Sequence, residues 1–135
     1  MLTHRWDESF SVGVRIMDLE HKRLCSLFGR LLSGLNCGDK ENLLKILDNL
    51  VEKAANHFAH EERLLRLTDF AAARLHEREH AQFLHRIRAV QLGLRAGDAS
   101  ALSTEVVHSL CDWLEQHIKD RDKEFGAHLN LRGIR

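Results

Sequence analysis

The chain has 135 residues, 44% hydrophobic and 30% charged, and its 20 basic and 20 acidic side chains give a formal net charge of zero. That length suits one domain with a real core. The charge balance argues against a nucleic-acid surface or an anionic-membrane patch, since both need a basic excess.

No apolar run nears the roughly 20 residues of a membrane helix. The opening Met1-Leu2-Thr3-His4-Arg5-Trp6-Asp7-Glu8 lacks the apolar stretch of a secretion signal. Cys25, Cys37 and Cys111 are odd in number, widely spaced and without a CxxC, which points to reduced thiols in a cytoplasmic protein. Proline and tyrosine are absent, and there are ten histidines. Missing proline suits long unbroken helices; the histidines are the excess to explain.

The predicted order is an irregular arm over residues 1–17 and helices at about 18–35, 40–67, 70–94 and 99–121. Asp18 opens the first helix, and Asn36-Cys37-Gly38 closes it. Asp39 is the expected N-cap of the second, with Glu41 near the positive end of the helix dipole. The second breaks at Thr68-Asp69, either of which could cap the third. The third ends in the stretch holding Gly93 and Gly97, and Asp98 or Ser100 is the expected cap of the fourth. Strand alternation is absent. Short connections between long amphipathic helices favour an all-α, antiparallel, up-down-up-down four-helix bundle.

The histidines fall on the apolar stripes. His21 heads Leu24, Cys25, Phe28, Leu31, Leu32 and Leu35. The second stripe is Leu43, Leu47, Leu50, Ala54, His57, Glu61 and Leu64. The third is Ala73, His76, His80, Phe83, Leu84, Ile87 and Leu94, and the fourth is Leu102, Val106, Leu110, Trp113 and His117. In an antiparallel bundle these five imidazoles and Glu61 converge near one end. Residues at i, i+4 lie about 40° apart, so His57/Glu61 and His76/His80 can each reach one centre. A buried carboxylate needs a partner or a metal. Five imidazoles and a carboxylate exceed one tetrahedral zinc and suit two adjacent first-row metals, with iron or manganese favoured by nitrogen and oxygen donors. Helix geometry would add Asp120, about 60° from His117, before Asp122, about 140° away.

These residues resemble the hemerythrin family, in particular its single-domain bacterial members. The arm Trp6…Ser11-Val12-Gly13-Val14…Met17-Asp18-Leu19-Glu20-His21 is similar to the family's opening signature. His57-Phe58-Ala59-His60-Glu61-Glu62 is similar to its HFxxEE element, His76 and His80 to its HxxxH, and Trp113-Leu114-Glu115-Gln116-His117-Ile118-Lys119-Asp120-Arg121-Asp122 to its WLxxHIxxxD. The resemblance implies two iron ions with an oxo or hydroxo bridge. His76, His80 and His117 would hold one iron, His21 and His57 the other, open one, and Glu61 and Asp122 would bridge them. Choosing Asp122 requires a helix end, kink or π-type turn after His117. Leu114 would wall the oxygen pocket with Trp113 close by. The chain departs from many relatives at Leu65, where they carry methionine, and at Thr68-Asp69-Phe70, where they carry Tyr-Pro.

His76-Glu77-Arg78-Glu79-His80 also fits the HExxH of zinc proteases. Without a strand to hold a peptide, Glu77 and Glu79 are expected to be solvated charges. His4, His60, His85, His108 and His128 are expected at the surface or in caps, with hydrogen bonding to the centre open to His60. Cys25 is expected to be buried near the metals. The implied function is reversible dioxygen binding without turnover, as carrier, store or delivery module. The alternatives on the same ligands are a di-iron oxidase, peroxidase or nitric-oxide-handling enzyme, and an oxygen or iron sensor. A cytoplasmic monomer is expected, with no nucleic acid or membrane partner and no identified electron donor or oxygen recipient.

Overall fold

The computed structural model describes residues 5–135, so the surface role expected of His4 lies outside them. Among the described residues there is no strand. Four long helical runs form the bundle: α1 (Arg15–Cys37), α2 (Lys40–Leu67), α3 (Ala73–Arg95), and a fourth made of α4 (Thr104–His117), a π turn (Ile118–Asp122) and α5 (Lys123–Leu131). The all-α four-helix bundle is therefore as the sequence predicts. Each stripe contributes to one continuous core, with Leu32, Leu35, Leu64 and Leu84 partly buried against it. No helix among the described residues is long and apolar enough to cross a membrane.

The helix ends follow local chemistry, with three corrections. Asp39 caps α2 by accepting from the Asn42 N–H at 3.2 Å. Gly38 closes α1 in the left-handed conformation (φ 67°) that glycine adopts without a Cβ penalty. The first correction is that α1 begins at Arg15, before Asp18. Asp18 instead sits inside the first turn and clamps the arm, accepting from the Val12 N–H at 2.9 Å and the Ser11 hydroxyl at 2.6 Å. The second is that neither Thr68 nor Asp69 caps α3. Thr68 bonds back to the Leu64 carbonyl at 2.7 Å, and α3 starts after Ala72 with no side-chain cap. The third is that Asp98 caps only a short 3-10 turn (Ala99–Ala101), while Ser103 caps α4 by accepting from the Val106 N–H at 3.2 Å.

Packing also turns the fourth stripe slightly. Val107, Cys111 and Leu114 are buried, whereas Val106 and Trp113 lie at its edge. The helical fourth run continues to Leu131, beyond the expected end near residue 121. Its last segment carries Phe125 and Leu129 into the core and receives the N-terminal arm. Asn130 donates to the Gly13 carbonyl at 2.9 Å. A Cβ placed on Gly126 would lie 2.0 Å from the Val12 carbonyl oxygen. That contact is backbone on backbone, so no side chain can rotate away. Gly126→Ala is expected to cost about 1–3 kcal/mol of stability through overpacking, read as a lower denaturant midpoint; an unchanged midpoint would show that the arm is not seated as described.

Candidate metal centre

Seven polar side chains meet inside the bundle, none more than 3% exposed: His21, His57, Glu61, His76, His80, His117 and Asp122. His21 comes from α1, His57 and Glu61 from α2, His76 and His80 from α3, His117 from the end of α4, and Asp122 from the end of the π turn. They form two overlapping groups whose donor atoms lie within 4.8 Å of one another. One contains Glu61, His76, His80, His117 and Asp122; the other contains His21, His57, Glu61 and Asp122. The histidines thus divide three and two, and both carboxylates belong to both groups.

The choice between Asp120 and Asp122 is decided by the backbone. Asp120 is exposed and accepts from the Gln116 amide. Asp122 is buried, with Oδ2 3.0 Å from His21 Nε2 and Oδ1 2.9 Å and 3.2 Å from the Nε2 atoms of His76 and His117. A straight α-helix could not do this. In the π turn, hydrogen bonds run from i to i+5, so the residue five positions after His117 returns to its face. The straight-helix preference for Asp120 is corrected accordingly.

Three glutamates hold the imidazoles from behind. Glu20 Oε1 accepts from His57 Nδ1 at 2.9 Å, Glu62 Oε2 from His80 Nδ1 at 2.9 Å, and Glu79 Oε1 from His117 Nδ1 at 3.2 Å. Each glutamate adjoins a member of the buried cluster on its own helix and reaches an imidazole on the next: α1 to α2, α2 to α3, α3 to α4. A carboxylate only accepts, so Nδ1 must carry the proton and Nε2 faces the centre. Histidines that ligate metals almost always use this arrangement, which fixes the ring and raises its basicity. Sequence reading missed all three roles and took Glu79 for a solvated charge. The available signal was their position one residue from a stripe histidine or carboxylate. Of the other HExxH glutamate, Glu77 pairs with Arg66 at 3.1 Å.

The centre is built for cations. The Nε2 atoms of His80 and His117 lie 3.1 Å apart, and Glu61 Oε2 is 2.5 Å from His57 Nε2. Yet His21 Nε2, His57 Nε2, Glu61 Oε2 and both Asp122 oxygens are buried without a hydrogen bond of acceptable geometry. Groups left so would each cost about 1–3 kcal/mol. Metal ions would satisfy them together; without metal, protons must. Burial pushes the His57 imidazole down, but the Glu61 charge and the bonds to Glu20 and Glu61 outweigh it and raise it to about 10. Burial likewise opposes protonation of His76, and Asp122 and Glu61 raise it to about 9. Burial works against ionised Glu61, yet the surrounding imidazoles hold it well below the usual carboxylate range. Asp122 is held low as well, against burial and the Glu61 charge, chiefly by His117.

The remaining predicted residues separate. Leu114 is buried one turn before His117. Trp113 is sandwiched between Phe83, with ring centroids 4.5 Å apart, and His117, at 4.7 Å and 10° between planes. It therefore packs on the three-histidine group. His60 is exposed and bonds Glu20 Oε2 at 2.9 Å, so it touches the centre only through that glutamate. His85 is exposed; His108 and His128 are half-buried, and His128 bonds the Thr68 carbonyl at 3.0 Å. Cys25 is buried, and burial pushes its thiol up to about 11.

Comparison with known proteins agrees with this geometry. The family model described as the hemerythrin HHE cation binding domain matches residues 12–129. A bacteriohemerythrin of Stenotrophomonas maltophilia is 26% identical over 129 residues, covering 93% of this chain and 83% of its own length. A myohemerythrin of Sipunculus nudus is 31% identical, with 92% of each chain covered. A crystal structure of wild-type hemerythrin superposes with a TM-score of 0.88 at 26% identity, over 96% of this chain and 98% of that one. With the family model spanning most of its length, the chain belongs to the hemerythrin family.

Proposed function

We propose that this chain binds dioxygen reversibly at a non-haem di-iron centre and does not turn it over. The observation that carries the reading is the unequal division of buried histidines around two shared carboxylates. His76, His80 and His117 would hold one iron and His21 and His57 the other, with Glu61 and Asp122 bridging them beside an oxo or hydroxo group. The second iron would then have one protein donor fewer and stand open. Iron, when bound, would supply the electrons that hold dioxygen. Glu20, Glu62 and Glu79 hold three imidazoles in one tautomer and orientation. Leu114, buried one turn before His117, would wall the oxygen pocket, and Trp113 would fix the plane of His117. The cytoplasmic, monomeric state expected from the sequence remains part of this reading.

Reduced protein is expected to carry two irons per chain and to show a visible absorption band in air that disappears on deoxygenation. One zinc per chain and no band would overturn it, and steady oxygen consumption would favour an enzyme.

The bridging roles give a paired test. Asp122→Asn is expected to lose at least one iron of the pair, whereas Asp120→Asn keeps both; metal content by atomic absorption distinguishes them. Equal loss from both variants would remove the π turn from the account.

Metal and protons compete for one set of donors. The raised imidazoles of His57 and His76 stabilise metal-free protein fully below their ordinary value of 6.5, and that contribution is lost as pH climbs through about 9 to 10. Metal-free protein is therefore expected to melt at lower temperature as pH rises through this window. Metal affinity should rise over the same window, with protons released on binding. Calorimetry of both forms across that range checks the opposite trends.

A further inference from the structure

The three glutamates behind the imidazoles are not equivalent. Glu79 alone is also gripped by a guanidinium: Arg121 Nε donates to Glu79 Oε2 at 2.9 Å, while Glu79 Oε1 accepts from His117 Nδ1 at 3.2 Å. Among the described residues, no lysine or arginine forms an ion pair with Glu62 or Glu20; Glu62 pairs with His80, and Glu20 with His57 and His60. Arg121 belongs to the π turn, so the turn that carries Asp122 into the centre also carries Arg121 to α3. The pair borders a solvent-open cleft of about 300 Å³ beside Trp113 and His117. The Phe83–Trp113–His117 stack holds the imidazole plane from one side, and the Arg121–Glu79 pair holds its outer nitrogen.

We propose that Arg121 is a positioning residue which, through Glu79, limits the electron donation of His117 and so sets the reduction potential of the three-histidine iron. The inference rests on the di-iron reading above. An ionised carboxylate on Nδ1–H gives the ring partial imidazolate character, strengthens Nε2 as a donor and favours the ferric state. A guanidinium on the other oxygen draws charge away from that hydrogen bond and favours the ferrous state. Glu62, with no such cation, leaves His80 the stronger donor. The device is therefore a local counterweight, acting on one imidazole of the three. Arg121 is half-exposed, so screening keeps its effect modest.

Opposite signs are the signature. Iron is first counted in each purified variant: protein that never takes up two irons defeats the di-iron reading, and only iron-loaded protein tests this one. Arg121→Met is expected to favour the ferric state about three- to tenfold, at most ~59 mV downward for a one-electron couple, and to speed oxidation in air. Glu79→Gln keeps a hydrogen-bond acceptor but loses the charge, and should move the potential upward and slow oxidation. Arg121→Lys should return the potential toward the parent value. The double variant should match Glu79→Gln alone, because Arg121 acts only through that carboxylate. In the diamagnetic zinc-loaded chain, the His117 Nδ1 proton resonance should move downfield in Arg121→Met and upfield in Glu79→Gln. Potentials that shift in the same direction in both single variants, or an Arg121→Met shift that persists in the Glu79→Gln background, would overturn the proposal.

Discussion

Five imidazoles and two carboxylates buried at one end of a helical bundle are the constraint on which this structure depends. Each would be expensive to bury alone. Together they are tolerable only if cations lie among them. The rest of the chain serves that condition: apolar stripes on four helices enclose the donors, and glutamates outside the shell fix their tautomers. The raised imidazoles and depressed carboxylates express the same demand in proton form. A centre whose buried donors must take up either protons or metal binds metal in competition with protons.

The outer glutamates form a one-way chain around the bundle. Glu20, Glu62 and Glu79 each stand next to a member of the buried cluster and back an imidazole on the following helix. The sequence of links does not close. His21 Nδ1 is buried with no hydrogen-bond partner among the described residues, and the fourth helix, which brings Asp122 to Nε2, supplies no carboxylate to Nδ1. His21 is thus held by packing and by its inner contacts, whereas His57 beside it is also bonded from outside, at Nδ1, by Glu20. The two histidines of the smaller group differ in how firmly the protein holds them.

The π turn and the N-terminal arm are linked solutions. The turn adds the residue that swings Asp122 inward, and the run then continues as α5. That continuation gives the arm a surface on which to lie, with Gly126 making room for the Val12 carbonyl and Asn130 bonding Gly13. Asp18 ties the arm to α1 from the other side. Cation–π contacts from Lys22 to Trp6 and from Lys119 to Phe10 fasten it further. The arm thereby joins the first and last helices next to the turn that carries the bridging aspartate.

Periodicity in the sequence was enough to find the inward faces and the i, i+4 pairs, because these are set within one helix, and the short connections then placed the bundle and brought five histidines to one end. The resemblance added Asp122, which spacing had passed over. What only the tertiary structure decided lies between helices. Glu79 reads as a solvated charge from its own helix, and only the approach of the fourth helix turns it into the partner of His117 and Arg121. Trp113 reads as part of the inward stripe, but a small rotation places it between Phe83 and His117. The opening excess of ten histidines thus resolves into five that one helical period could identify. For three of them, His57, His80 and His117, the glutamate anchors come from residues 37, 18 and 38 positions away in sequence, and no local pattern reaches that far.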